Sequence, residues 1–219
     1  MMKGIIFDGD GILFDSFNAN LKAHQEVLAR YGVLFTKEYY LQSQGRKTQE
    51  MHRESFEKAG LPFPENIDKI SDEKNLLYRK SFLGEVLMLP GVRDFLKDLK
   101  KENVLVAVAT AMFSKNISAL LEKFDLNDFF SVVVSGDDVK RAKPDPEIYR
   151  LAAEKLNLDP RECVVFEDAP LGVKSAKAAG MKVVGVLTGS GEREELEKGG
   201  ADLIIETLNQ FSVGDLKCI

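Results

Sequence analysis

Short apolar runs rich in β-branched residues alternate with segments of helical spacing along most of this chain. The first run, residues 3–7, stops at Asp8 and predicts a buried strand. After Gly91 the alternation is regular: it predicts helices at residues 92–101, 114–124, 146–156 and 172–179, and strands at residues 104–110, 132–135, 163–167, 182–187 and 201–205. This alternation predicts an α/β fold in which helices cover both faces of a parallel sheet.

The segment between the first strand and Pro90 has a different pattern. Residues 17–31 have helical spacing, and the apolar positions stay helical to about residue 82, with breaks at Gly45 and Gly60. No run in this segment has strong strand character. We therefore expect a small all-helical insertion over residues 16–83, set into an α/β unit made of residues 1–15 and 84–219.

Composition narrows the class of protein. Hydrophobic residues make up 44% of the 219 residues, which is enough to bury a core, and the net charge of −5 gives no reason to expect nucleic acid. Cys163 and Cys218 form no C-x-x-C pair, so no thiolate metal site or disulfide framework is indicated. No stretch reaches the ~20 apolar residues of a membrane helix, and no signal peptide is evident. We expect a cytoplasmic monomer with no membrane partner.

Chemically capable side chains follow four of the predicted strands. They are Asp8 and Asp10 after the first strand, Thr110 at the end of the second, Asp137, Asp138 and Lys143 after the third, and Glu167 and Asp168 at the end of the fourth. Ligands of open parallel sheets bind beyond the carboxyl ends of the strands, so we expect these side chains to meet. Carboxylates and a hard cation, facing a lysine and a hydroxyl, form a site for a phosphoryl group.

The run at residues 8–11, of sequence DGDG, is also compatible with a plain turn or a calcium loop. An EF-hand loop needs an oxygen ligand at its fifth position and glycine at its sixth. Those positions hold Ile12 and Leu13 here, which excludes the calcium loop.

Four motifs resemble those of the haloacid dehalogenase superfamily and occur in its order. Residues 7–16 (FDGDGILFDS) resemble the first motif and residues 109–111 (ATA) the second. Residues 143–149 (KPDPEIY) resemble the third and residues 165–173 (VFEDAPLGV) the fourth. The helical insertion resembles the cap domain of the β-phosphoglucomutase-like and phosphoglycolate phosphatase-like branch. The resemblance implies a Rossmann-like, doubly wound parallel sheet with a small helical cap domain inserted after the first strand.

The resemblance implies a role for each carboxylate at the strand ends. Asp8 is expected to be the nucleophile that forms an aspartyl-phosphate, and Asp10 the general acid and base. Mg²⁺ is the expected cofactor, held by Asp8, by the backbone carbonyl of Asp10 and by Asp168. Glu167 is expected to support the metal site from behind these ligands.

The resemblance also implies which groups bind a phosphate ester. Thr110, the backbone N–H of Ala111 and Lys143 are expected to hold the phosphoryl oxygens. In the insertion, Gly45 and Arg46 resemble the family's substrate-specificity loop, where an arginine can grip a polar or anionic substrate. The alternative for this loop is an exposed basic turn between helices.

The leading functional hypothesis is a Mg²⁺-dependent phosphatase acting on a small phosphate monoester, such as a sugar phosphate. A β-phosphoglucomutase-type mutase is the alternative, although mutases of this branch carry a histidine early in the cap where this chain has Asn20. A non-catalytic, phosphate-binding regulatory protein is a third possibility. Dehalogenation is disfavoured, because it needs no magnesium site and this chain retains Asp10 and the Glu167–Asp168 pair.

A few further residues carry expectations of their own. Gly9 stands where the family usually has a bulky apolar residue, and it is expected to loosen the turn without abolishing activity. His24 and His52 have no partner at metal spacing and are predicted to be surface or packing residues. Asp137 and Asp138 are candidates for supporting the lysine or the metal.

Overall fold

A six-stranded parallel sheet forms the centre of the computed structural model, which describes residues 2–62 and 64–219. The strands, in chain order, are β1 Gly4–Phe7, β2 Phe14–Asp15, β3 Leu87–Met88, β4 Leu105–Ala109, β5 Val132–Val134, β6 Cys163–Glu167, β7 Lys182–Val186 and β8 Leu203–Ile205, of which β2 and β3 form a short pair that lies outside this sheet. The order across the main sheet is β5-β4-β1-β6-β7-β8, and each neighbouring pair is parallel. The predicted α/β class is therefore confirmed, and β1 lies in the interior of the sheet.

Helices connect the parallel strands, as a parallel sheet requires. In chain order they are α1 Phe17–Ala29, α2 Lys37–Gln42, α3 Thr48–Lys58, α4 Ile67–Leu77, α5 Val92–Lys101, α6 Ser114–Lys123, α7 Glu147–Lys155, α8 Pro170–Ala178 and α9 Arg193–Gly199. The sequence pattern did not predict α9. Its residues are mostly charged and only Leu196 is buried, so it lacks the apolar repeat that marks the other helices.

Both faces of the main sheet are covered, and β1 contributes to each. Ile5 and Phe7 belong to the apolar cluster that includes α5 and α6, while Ile6 belongs to the cluster that includes α7 and α8. All three side chains are fully shielded from solvent. Burial of a side chain of this size stabilises the fold by ~1.5–3 kcal/mol, so the strand that leads into Asp8 is firmly anchored.

The chain between β2 and β3 forms a helical layer with an apolar cluster of its own. Helices α1, α3 and α4 contribute the buried residues Leu28, Phe56 and Ile70 to it. Phe14 of β2 pairs with Met88 of β3 in a short antiparallel ribbon, so the chain enters and leaves the layer side by side. The sequence pattern did not predict this ribbon, because strands of two residues carry no periodicity.

Two further expectations concern membranes and cysteines. Over residues 2–62 and 64–219, no helix combines the length and apolar character that crossing a bilayer requires. Cys163 is a free thiol in the core, as its place at the start of a strand predicts. The side chain of Cys218 lies outside the described part of the chain.

Candidate active site

The carboxyl ends of β1, β4 and β6 bring most of the predicted site residues into one cavity. Strand β1 lies between the other two, with Phe7 opposite both Val108 and Phe166. The cavity is lined by Asp8, Asp10, Gln44, Gly45, Thr110, Ala111, Lys143, Glu167, Asp168 and Ala169. All four motifs and a loop of the helical layer therefore meet where the strand-end rule places a ligand. Arg46 lines an adjoining cavity.

The turn after β1, residues 8–14, is built around glycines. The backbone N–H of Leu13 donates to the carbonyl of Gly9 over 3.0 Å, which closes the turn. Gly11 has a φ of 77°, and a Cβ at this position would lie 2.5 Å from the carboxylate of Asp168. Glycine is required there both by the left-handed backbone and by the space that the carboxylate occupies.

Lys143 bridges two carboxylates on one side of the cavity. Its Nζ donates to Asp8 Oδ1 over 2.6 Å and to Glu167 Oε1 over 2.5 Å. Glu167 also accepts hydrogen bonds from the hydroxyl of Tyr149 (2.7 Å) and the backbone N–H of Ala169 (2.9 Å). Both carboxylate oxygens of Glu167 are thus engaged by protein donors, and its influence on the site is transmitted by the lysine.

Asp168 is fixed by the loop after β7. Its Oδ2 accepts hydrogen bonds from the backbone N–H of Ser190 (2.7 Å) and from Ser190 Oγ (3.1 Å). Gly189 leaves the room that this contact needs, since a Cβ there would overlap the carboxylate. Ser190 was not predicted from the sequence, although it follows the predicted strand 182–187 in the same way as the other site residues follow theirs.

Burial dominates the electrostatics of the cavity. It raises the pKa of Asp8 to about 7 against the opposing charge of Lys143. Burial, together with the negative charge of Asp8, raises the pKa of Asp10 to about 8. The pKa of Asp168 is raised well above its ordinary value by burial and by the charges of Glu167 and Asp8. Burial works against the charge of Lys143, but the Asp8 and Glu167 carboxylates outweigh it and raise the lysine's pKa well above the usual value.

The donor set fits a hard divalent cation. Asp8 and Glu167 are paired with the buried ammonium of Lys143, and Asp168 is buried in the same cavity. Among the described residues, Asp10 Oδ1 is buried without a hydrogen-bond partner. Mg²⁺ is usually bound by one or two protein carboxylates, with water and substrate oxygens completing its shell. In the described part of the chain, no three His, Cys, Asp or Glu side chains form a ready-made metal cage. A site with two carboxylate ligands matches this arrangement.

A second cavity continues from Asp10 toward the helical layer, and its lining is polar. Lys74 is 4% exposed and donates to Asn20 Oδ1 over 3.0 Å. Asn116 Nδ2 donates to Asn75 Oδ1, also over 3.0 Å, and so joins the α/β unit to the helical layer. Burial lowers the pKa of Lys74 to about 8, although the charge of Asp10 opposes this. Amides and one ammonium therefore face whatever group extends from the phosphate site.

The helical layer is closed over the strand ends. Gly45 lies so close to Lys143 that a Cβ on the glycine would be 3.3 Å from the lysine Cβ. Lys47 Nζ donates to the backbone carbonyl of Val139 over 2.5 Å, a second link between the layer and the α/β unit. A ligand in the cavity is therefore covered on the side of the layer.

Arg46 and Gly9 differ from the simplest expectation. Arg46 Nη1 lies 2.7 Å from Glu54 Oε2, and its side chain is 30% exposed, so its charge is paired within the helical layer. Gly9 also makes room for a neighbouring side chain. A Cβ there would lie 3.0 Å from Thr110 Oγ1, so the missing side chain leaves the space that the threonine occupies.

The aspartates after β5 take no part in the site. Asp137 Oδ2 accepts a hydrogen bond from the backbone N–H of Ser114 (2.9 Å), and Asp138 Oδ2 accepts one from Ser135 Oγ (2.7 Å). Their predicted support of the lysine or the metal is wrong, because Asp137 caps the start of α6 and Asp138 caps the turn at Ser135.

The two histidines of the helical layer pack in its interior. His24 Nδ1 and His52 Nε2 lie 2.9 Å apart, and the His24 ring stacks on Phe35. Of the two alternatives in the sequence analysis, packing is confirmed and surface exposure is wrong. Burial lowers the pKa of His52 to about 3 and that of His24 well below its ordinary value, so both rings are neutral.

The parallel sheet, the buried carboxylates at its strand ends and the helical insertion together define the class of this protein, an α/β protein with a helical insertion over a carboxylate-lined site. The chain belongs to the haloacid dehalogenase-like hydrolase family, whose sequence model matches residues 5–186. Within that family it is an enzyme of the phosphoric monoester hydrolase class. The family resemblance of the four motifs is confirmed.

Individual relatives share the whole architecture. The chain is 33% identical over 213 residues to the phosphorylated carbohydrates phosphatase of Thermotoga maritima, with 94% of each chain covered. The crystal structure of CbbY from Rhodobacter sphaeroides in complex with phosphate superposes with a TM-score of 0.88 at 28% identity, covering 99% of this chain and 100% of that chain. The β-phosphoglucomutase of Clostridium difficile gives a TM-score of 0.88 at 27% identity, covering 99% of this chain and 96% of that chain. The fold and the helical insertion are therefore common to these proteins.

Proposed function

We propose that this protein is a Mg²⁺-dependent phosphatase that hydrolyses a small phosphate monoester through an aspartyl-phosphate on Asp8. One observation carries the proposal: the buried carboxylate of Asp8, the hydroxyl of Thr110 and the ammonium of Lys143 line one cavity. A nucleophile beside two donors for phosphoryl oxygens is the arrangement that phosphoryl transfer through a covalent intermediate requires.

In the first half of the proposed reaction, a carboxylate oxygen of Asp8 attacks phosphorus and the bond from phosphorus to the ester oxygen breaks. Asp10 gives its proton to the departing oxygen, so an alcohol leaves. Asp10 suits this role because it lines both the Asp8 cavity and the cavity toward the helical layer, and its buried Oδ1 has no hydrogen-bond partner within residues 2–62 and 64–219. Proton transfer of this kind accelerates a reaction by ~10²–10⁴-fold.

In the second half, a water molecule attacks the phosphorus of the aspartyl-phosphate. Asp10, now a carboxylate, takes a proton from this water, and the bond between phosphorus and the Asp8 oxygen breaks. Inorganic phosphate leaves and Asp8 is restored. Throughout, Lys143 and Thr110 donate hydrogen bonds to phosphoryl oxygens, which stabilises charge as it shifts in each transition state.

The residues proposed to hold Mg²⁺ are Asp8 and Asp168, through their carboxylates, and Asp10, through its backbone carbonyl. When bound, Mg²⁺ supplies positive charge that lets an anionic carboxylate approach an anionic phosphate. The two hydrogen bonds from Ser190 to Asp168 Oδ2 support this assignment, because they orient the carboxylate without using Oδ1. Glu167 supports the site indirectly, by holding the lysine.

We also propose that residues 16–83 act as a cap domain over a core domain of residues 1–15 and 84–219, and that the cap selects the substrate. The β2–β3 ribbon at the junction supports these boundaries. A sugar phosphate fits the amide-rich lining of Asn20, Asn75 and Asn116, since amides both donate to and accept from hydroxyl groups. The Thermotoga maritima relative is named for phosphorylated carbohydrates. The cytoplasmic location and the monomeric state stay predictions.

Phosphoglucomutase activity is the alternative, because a β-phosphoglucomutase shares the fold. Asn20 stands where the family resemblance places the mutase histidine, and its Oδ1 accepts a hydrogen bond from Lys74. An amide does not exchange protons near neutral pH as an imidazole does, so Asn20 favours hydrolysis. Incubation with β-glucose 1-phosphate separates the two: a phosphatase yields glucose and phosphate, and a mutase yields glucose 6-phosphate.

A panel of phosphorylated metabolites, assayed for phosphate release with Mg²⁺ or with EDTA, tests the proposed function. We expect release with Mg²⁺, none with EDTA, and none from Asp8→Asn, which keeps the size of the side chain but removes the nucleophilic charge. Asp94→Asn is the matched control, because that side chain is 86% exposed. Turnover by Asp8→Asn at the wild-type rate would overturn the assignment of Asp8 as the nucleophile. If the wild type released phosphate from no ester, the proposed phosphatase activity would be overturned.

A further inference from the structure

Tyr149 lies beneath the site, on α7, and makes two contacts that the proposed reaction does not use. Its hydroxyl donates to Glu167 Oε1 over 2.7 Å, and its ring lies under Lys143 Nζ, 4.9 Å from the ring centroid. The side chain is fully buried. Burying a tyrosine hydroxyl costs free energy unless the group is hydrogen-bonded, so the bond to the Glu167 carboxylate offsets the cost of burying this side chain.

Glu167 is immobilised by its surroundings, and Tyr149 is part of them. Oε1 accepts from Lys143 and from Tyr149, while Oε2 accepts from the backbone N–H of Ala169. Gly172 closes the space on a further side, because a Cβ there would overlap the carboxylate. The tyrosine hydroxyl thus shares Oε1 with the lysine and limits how far the carboxylate can draw the ammonium toward itself.

The position of Lys143 decides where its last donor points. An ammonium has three N–H groups. Two of them are directed at Asp8 Oδ1 and Glu167 Oε1, so one remains for a phosphoryl oxygen in the cavity. Its direction follows from where the two acceptors lie, because the three N–H bonds have fixed angles to one another.

We infer that Tyr149 is a positioning residue for Lys143, and that it acts through Glu167. The hydroxyl holds Oε1 in place and competes with the ammonium for it, while the ring supports the ammonium from below by a cation–π contact. Without the hydroxyl, Glu167 draws the lysine away from the cavity and the third N–H no longer meets the phosphoryl oxygen. The inference rests on the proposed function, in which Lys143 binds the phosphoryl group.

Tyr149→Phe tests this role, because it removes the hydroxyl and keeps the ring. We expect the Kd for inorganic phosphate, measured by titration calorimetry with Mg²⁺ present, to rise roughly 10-fold, and kcat/KM to fall by a similar factor, as is typical when a supporting hydrogen bond is lost. Tyr78→Phe is the matched control. Tyr78 is also fully buried, but its hydroxyl has no hydrogen-bond partner in the part of the chain that the structure describes, so its removal is expected to leave both quantities unchanged.

A double-mutant cycle separates positioning from a general loss of structure. In a Lys143→Met background, Tyr149→Phe is expected to change the Kd for phosphate no further, because the group through which it acts is gone. An equal rise in both backgrounds, or the wild-type Kd and kcat/KM in Tyr149→Phe, would overturn the inference. A wild type that binds phosphate but hydrolyses no ester would instead remove the proposed function and leave the comparison of Kd values standing.

Discussion

The ammonium of Lys143 lies 2.6 Å from Asp8 Oδ1, although 135 residues separate them along the chain. Both side chains are buried, at 3% and 6% exposure. Removing one member of a buried ion pair leaves the other without compensation, and this costs more than the pair itself contributes. The contact therefore links the stability of the fold to the chemistry of the site.

Lys143→Met tests this link directly. The variant keeps the length of the side chain but leaves Asp8 and Glu167 without their buried cation, so we expect the free energy of unfolding to fall by ~3 kcal/mol and activity to be lost. Urea unfolding at constant pH measures the first effect. Lys140→Met, at an exposed position, is expected to change stability by less than ~0.5 kcal/mol. Equal stability of the two variants would contradict the expectation.

Asp10→Asn is expected to slow the departure of the alcohol from phosphorus. The variant cannot donate a proton to an alkyl leaving group, so kcat for a sugar phosphate should fall by ~10²–10⁴-fold. The nitrophenolate of p-nitrophenyl phosphate leaves without a proton, so its release in the first turnover, before water attacks the aspartyl-phosphate, should fall far less. Rapid-mixing assays of the first turnover on the two substrates measure the difference, and an equal loss for both would speak against a general-acid role.

Gly189→Ala is expected to weaken the response to Mg²⁺. A methyl group at this position would overlap Asp168 Oδ2 and turn the carboxylate away from the metal site. We expect the Mg²⁺ concentration for half-maximal activity to rise by ~10–100-fold while saturating Mg²⁺ restores part of the rate. Gly84→Ala is the control, since nothing lies within 4 Å of a Cβ there. An unchanged Mg²⁺ response would argue against Asp168 as a ligand.

The histidine pair predicts a loss of stability in mild acid. His52 has a pKa of about 3 in the folded protein because burial disfavours its charged form, whereas an unfolded histidine has a pKa of about 6.5. The unfolded state therefore binds more protons below pH ~6.5, and stability falls as the pH is lowered toward the folded value. At pH ~5, His52 alone accounts for about 2 kcal/mol.

Unfolding of His52→Asn at pH ~7.5 and pH ~5 checks this expectation. The difference in unfolding free energy between the two pH values should be about 2 kcal/mol smaller than in the wild type. Met51→Leu changes the neighbouring buried side chain without a titrating group, so it should keep the wild-type difference. If His52→Asn also keeps the wild-type difference in unfolding free energy, the acid sensitivity arises from other groups than His52.

Gly9→Leu is expected to lower turnover, contrary to what the sequence alone indicates. The new Cβ would lie 3.0 Å from Thr110 Oγ1, so we expect the leucine side chain to displace the threonine from its place in the cavity. A displacement of about 1 Å in a site can cost ~10²-fold in rate. Gly9→Ala presents only the Cβ and should lose less. Steady-state assays of the two variants with one substrate give the order, and wild-type turnover in Gly9→Leu would restore the original expectation.

The strand-end residues were predictable because the sheet rule is local. Asp8 directly follows a buried strand and Glu167 ends another, so their meeting needs only the knowledge that the two strands are parallel. Gly45 came from the family resemblance, and the structure brings it to the same cavity. In each case, a few residues that are neighbours in the sequence are enough to predict the site residue.

Contacts between side chains on different helices and strands depend on how these elements pack, and no short sequence pattern predicts such contacts. Tyr149 meets Glu167 only because α7 packs on the face of the sheet that carries Ile6 and Val165. Asn75 meets Asn116, 41 positions away, only because the helical layer is closed. The prediction for Asp137 was wrong because an acidic residue after a strand can cap a neighbouring helix, here α6, as readily as face the cavity. Packing decides to which side of a loop a carboxylate turns, and the position of the residue in the sequence does not.

The ribbon of Phe14–Asp15 and Leu87–Met88 gives the helical layer adjacent points of entry and exit. A segment attached at one spot can be lengthened, shortened or replaced without shifting the register of the main sheet. On the proposed function, crossovers between related genes at these two positions would place a different cap domain on an unchanged set of proposed phosphate-binding residues. Substrate choice would then vary while those residues are inherited intact.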